Sequence, residues 1–120
     1  MSPDAAAATE PPPAAPAFIS FGETVVNLDD GRMSRYLRES ITLQVDESEQ
    51  ADNTARVEKN RSIQRSWLHS YLSDMGMDDV RGAAGQNRLR REIQDHFNTV
   101  LFADGYDRIR DILFEEFNVQ

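Results

Sequence analysis

The chain has 120 residues, 39% of them hydrophobic, with 21 acidic against 13 basic side chains and a formal net charge of −8. That suits one domain with one modest core, is too apolar for a wholly disordered protein, and opposes binding of a phosphate backbone or anionic headgroups. The absence of cysteine excludes disulfide frameworks, thiolate metal sites and cysteine nucleophiles.

Residues 1–17 are almost entirely Ala, Pro and small polar residues. They bury too little to offset their ordering entropy and read as a disordered tail or linker, semi-extended around Pro11, Pro12, Pro13 and Pro16. The segment has neither the basic start nor the leucine-rich core of a signal peptide. No stretch of the chain approaches the roughly 18–20 apolar residues that span a bilayer. Residues 18–120 read as the folded domain.

Residues 18–28 predict a first strand, with Phe18, Ile19, Phe21, Val25, Val26 and Leu28 as β-formers and Gly22 marking a bulge. Asp29-Asp30-Gly31 is a turn signal. Residues 36–45 alternate: Leu37, Ile41, Leu43 and Val45 share one face, with Glu39 as the exception, and Arg38, Ser40, Thr42 and Gln44 share the other. The two runs predict a hairpin with one buried face.

Residues 46–53 read as an acidic loop leading to a helix that Asn53 or Thr54 would cap. That helix runs to about Met75, with Val57, Ile63, Trp67, Leu68, Tyr71, Leu72 and Met75 on its core side, and Gly76 ends it. Asp78 is the expected cap of a single turn around Val80. A second long helix covers residues 86–102, with Leu89, Ile93, Phe97, Val100 and Leu101 inward and Arg88, Arg90, Arg91 and Glu92 toward solvent. Residues 109–119 read as a strand. Ile112 and Phe114 take one face and Leu113, Phe117 and Val119 the other, the pattern of a central strand covered on both sides. The order predicts an α+β domain: a small antiparallel sheet, built from the N-terminal hairpin and the C-terminal strand, packed with two long helices.

Signals for chemistry are weak. His69 has no ligand partner at helical spacing, and His96 has only Glu92 one turn earlier, which is too few for a metal. Asp29-Asp30 and Asp78-Asp79 fall in turns, where Asp is favoured by the backbone alone. Glu115 and Glu116 should point to opposite strand faces and share no proton. Gly82 and Gly85 lack the Lys-Ser/Thr ending of a phosphate loop, and Ser66 and Ser70 flank His69 only along one helix. The Trp67, Tyr71, Met75 row is a core face. No catalytic residue, metal or cofactor is expected, and a small hydrolase is kept only as a formal competitor.

Thr24-Val25-Val26-Asn27-Leu28 and the aspartate-rich turn, then Arg35-Tyr36-Leu37-Arg38 and Ile41-Thr42-Leu43-Gln44-Val45, resemble the opening strands of the FliL family of flagellar basal-body proteins. Leu89-Arg90-Arg91-Glu92-Ile93 and Phe97-Asn98-Thr99-Val100-Leu101 are similar to its second helix. The run from Ile109-Arg110-Asp111-Ile112 through Leu113-Phe114-Glu115-Glu116 to Phe117-Asn118-Val119-Gln120 resembles its closing strand. The resemblance covers about residues 18–120.

It implies a stomatin-like fold and a non-enzymatic accessory role beside the flagellar stator units, with no cofactor. It also implies assembly into rings or partial rings and a location on the periplasmic side of the inner membrane. FliL-type proteins carry a transmembrane helix before this domain, whereas here an Ala/Pro segment precedes it. If an upstream anchor is missing, residues 5–17 end a periplasmic linker. Otherwise the chain is a soluble stomatin-like interaction module in the cytoplasm. Ring formation requires one patch to meet a different patch on the neighbour. Charge clustering offers Arg56, Lys59, Arg61 and Arg65 against Asp46, Glu47 and Glu49, with a solvated helix face as the plainer reading.

Overall fold

The computed structural model describes residues 15–28 and 34–120. The expected turn at Asp29-Asp30-Gly31 and residues 1–14 of the expected tail lie outside the described residues. The strands are β1 (Pro16–Leu28), β2 (Arg35–Asp46) and β3 (Asp111–Val119), and the helices α1 (Gln50–Ser73), α2 (Met77–Val80) and α3 (Gly82–Leu101). A single 3₁₀ turn, Glu47–Glu49, joins β2 to α1. The strands form one antiparallel sheet in the order β1-β2-β3. The α+β architecture is therefore as the sequence predicts.

Several boundaries differ. β1 begins at Pro16, within the segment read as tail, and Ala17 is buried. The presumed loop before α1 is taken up by the end of β2 and the 3₁₀ turn, so Asn53 and Thr54 lie inside α1. The Thr54 hydroxyl donates to the Gln50 carbonyl at 2.7 Å instead of capping the helix. Gly76 opens α2, its N–H donating to the Asp79 carboxylate at 2.9 Å, so Asp79 does what Asp78 was expected to do.

The central strand is β2, and β3 is an edge; this corrects the reading of β3 as covered on both faces. The cause is a bulge. Ser40 pairs with Glu116 and Ile41 with Phe114, leaving Glu115 as an extra residue that reverses the side-chain parity of β3. Ile112, Phe114, Phe117 and Val119 consequently lie opposite Leu43, Ile41, Glu39 and Leu37 on one face. The bulge also brings both acidic side chains to the other face, where Thr42 donates to Glu115 at 2.8 Å and Arg38 lies 3.9 Å from Glu116. They do not point to opposite sides.

The bulge expected at Gly22 is present. Pairing skips Phe21 between Ser20 and Gly22, and Gly22 has φ 113°, a conformation that glycine adopts without a Cβ clash. It shifts the buried set from Ala17, Ile19 and Phe21 to Thr24, Val26 and Leu28.

Both long helices pack on the face of β2 that carries Leu37, Ile41, Leu43 and Val45, all fully buried. Val57, Leu68 and Leu72 of α1 and Leu89, Ile93, Phe97 and Leu101 of α3 close the core. Two residues assigned to it by periodicity are outside: Ile63 is 68% exposed and Val100 46%. Arg90 is not a solvated charge either. It donates to the Ile112 carbonyl at 2.9 Å and to both Asp111 oxygens at 3.0 and 3.1 Å, fastening α3 to the start of β3.

Candidate interaction surface

The side chains picked out by charge clustering fall into two groups. Arg61 and Arg65 are engaged within the molecule. Arg61 donates to the carbonyls of Ser20 (3.2 Å) and Phe21, pairs with Glu58 and stands over the Phe21 ring at 5.5 Å. Arg65 donates to the Glu23 carbonyl at 3.1 Å, and Gln50 to that of Phe18 at 3.2 Å. These four acceptors lie along β1, so α1 covers part of an edge strand with its own donors. The negative charge of Glu58 is favoured by the same contact, which holds its carboxyl below the ordinary range.

The acidic residues divide similarly. Asp46 is bonded to Arg110 at 3.0 Å, and Glu49 is paired with Arg108. Asp104 also bonds Arg108, which keeps the Asp104 carboxyl below its usual value and raises the Arg108 guanidinium. Glu47 is exposed. The pairs at the surface are screened and individually weak, so they orient the loop more than they stabilise it.

Arg56 and Lys59 are exposed and face differently. They line a groove of about 730 Å³ between the first half of α1 and the loop after α3. Glu49, Asp52, Asn53, Ala55, Phe102, Ala103, Asp104 and Arg108 complete it. The Asn53 side-chain nitrogen is buried with no hydrogen-bond partner. The groove thus sets three cations, Arg56, Lys59 and Arg108, beside three carboxylates, Glu49, Asp52 and Asp104, on one surface. The sequence reading placed the two signs on separate patches. It missed Phe102, Asp104 and Arg108, which come from a loop with no periodic signal.

At the other side of α1, His96 from α3 stacks on Trp67, with ring centroids 3.5 Å apart and planes 4° from parallel. Trp67 stacks in turn on Tyr71 at 5.0 Å. His96 Nε2 lies 3.0 Å from Gln64 Oε1, and Tyr71 donates to Glu92. Burial lowers the His96 pKa, and burial followed by the Glu92 contact raises that of Tyr71. This column joins the helices and does not present a ligand set. His69 is exposed on α1. Among the described residues no three His, Asp or Glu side chains gather as a metal site would require.

The family model described as flagellar basal body-associated protein FliL matches residues 18–120. A flagellar protein FliL from Aquifex aeolicus (strain VF5) is 29% identical over 96 residues, which is 80% of this chain and 56% of that protein. The chain therefore spans little more than half the length of this relative. Among the described residues no helix is long and apolar enough to cross a membrane. With the match running from near the start of β1 to residue 120, the chain belongs to the flagellar basal body-associated protein FliL family.

Proposed function

We propose that this domain is a non-enzymatic accessory of the flagellar motor. It associates with the stator units at the basal body, on the periplasmic side of the inner membrane, and supports flagellum-driven motility. The observation that carries the reading is the family match over residues 18–120. The Aquifex relative, itself a flagellar protein, supports it. The test is the position of a fluorescently tagged protein expressed from its own locus. Foci at flagellar bases that fade when stator units are deleted are expected. A diffuse signal with and without stators would replace this reading with a soluble interaction module.

Self-association into a ring or partial ring is part of the same proposal, and the groove beside Arg56 and Lys59 is its best-supported contact. Their cations are available to a neighbour's Glu47, which is exposed, whereas Arg61 and Arg65 already serve β1. Charge reversal of Arg56 and Lys59 to Glu should weaken self-association about ten-fold without lowering the melting temperature. Reversal of Arg61 and Arg65 should lower both, because it strips the β1 edge of its donors. Unchanged sedimentation of the first variant would remove the groove from consideration.

A further inference from the structure

Glu39 is a carboxyl in the wrong place for one. It lies in the middle of β2, on the face that carries Leu37 and Ile41, and is 0% exposed. Neither of its oxygens has a hydrogen-bond partner. Across one ladder it faces Thr24 of β1, whose hydroxyl is buried and also completes no bond; across the other it faces Phe117 of β3. The charges acting on it are Arg65 from α1 and Glu23 from β1; none comes from α3 or β3. Burial pushes its pKa up to about 7, with the Thr24 hydroxyl and the Arg65 charge offsetting part of that rise and Glu23 adding to it.

The nearest cation is committed elsewhere. Arg65 donates to the Glu23 carbonyl, the last of the β1 carbonyls bonded by an α1 side chain; beyond it, residues 24–28 receive none. A carboxylate formed at Glu39 would therefore have only the Thr24 hydroxyl as a donor in its own pocket. It could gain a charged partner only by drawing Arg65 off the Glu23 carbonyl, and further donors only by admitting water between β1 and α1. Either movement frees the same segment.

We infer that Glu39 is a proton-held latch: its neutral carboxyl keeps α1 closed on β1 at Glu23, and its ionisation releases the Glu23 carbonyl from Arg65 and loosens residues 24–28 beyond it. The sign follows from the direction of the shift. The folded state binds the proton more tightly than the unfolded or locally opened state. The closed seam is therefore fully favoured below the ordinary carboxyl range and is progressively lost as pH rises from about 4.5 through about 7. Above that range the penalty is constant.

Hydrogen exchange of the full chain, resolved by segment and corrected for intrinsic rates, tests this at about pH 5 and about pH 8. Protection over residues 23–28 and the facing turn of α1 should fall by on the order of ten-fold or more at the higher pH. Glu39→Gln keeps the shape and removes the charge, so its protection should not change between the two conditions. Equal protection in the parent at both pH values overturns the inference. So does the same loss in Glu39→Gln, or a loss spread evenly over β2, β3 and α3. Should the variant fail to fold, the carboxyl ¹³C shift of Glu39 in the parent decides: a midpoint near 4.5 overturns the latch, and one near 7 supports it.

Discussion

Asn98→Ala is expected to lower the stability of the domain by about 3 kcal/mol. Asn98 is 7% exposed near the end of α3 and makes a reciprocal pair of bonds with one residue: its Nδ2 donates to the Ile109 carbonyl at 2.9 Å, and its Oδ1 accepts from the Ile109 N–H at 2.8 Å. Ile109 is fully buried just before β3. Its carbonyl has a second donor in Gln94 at 3.0 Å, so the acceptor survives the substitution. The N–H does not, and a buried donor without a partner costs its desolvation in full. Asn98→Asp keeps the acceptor that this N–H needs but sets a buried carboxylate oxygen against the Ile109 carbonyl, so it should not recover the loss. Urea denaturation with an unchanged slope measures both. A loss under about 0.5 kcal/mol for Asn98→Ala would mean that the Ile109 segment is held by packing alone.

Gly85→Ala carries the second large expectation, a loss of about 1–3 kcal/mol at a helical position where alanine ordinarily gains about 1. A Cβ at Gly85 would stand 2.5 Å from the Asp79 carbonyl oxygen and 3.1 Å from its carbon. Both are backbone atoms of α2 and cannot rotate away. The helices would have to separate, which also disturbs the Arg88–Asp79 pair at 2.6 Å and the Asp79 bond that starts α2. For a domain of about this size each kcal/mol lowers the melting temperature by roughly 4 °C. A variant that melts at or above the parent temperature would show that α2 yields without cost.

The two expectations mark where the sequence could and could not be read. The hairpin was legible because β2 alternates with period two and half-buried strands require that pattern. Even its exception, Glu39, stood out as a break in an apolar row. β3 was misread because a single extra residue, Glu115, changes parity without leaving any compositional trace. Ile63 and Val100 fit a helical stripe yet are left exposed. The interaction surface was legible only in part. Arg56 and Lys59 are as exposed as a charged helix face predicts. Arg61 and Arg65 have the same local signature and are fixed to β1 carbonyls some 40 positions away in the chain, for example Arg61 to Phe21 with a separation of 40. Spacing along a helix says which residues are neighbours on it, not which backbone lies opposite.

A sheet of three strands has two open sides, and such sides invite copies of a protein to stack strand on strand into fibres. In this domain each side is met by long donors from a helix: Gln50, Arg61 and Arg65 on β1, Arg90 on β3. A guanidinium or amide seated on a strand carbonyl occupies the acceptor that an incoming strand would use. These side chains therefore act against fibre growth as well as for the fold, guarding the first half of β1 and the start of β3.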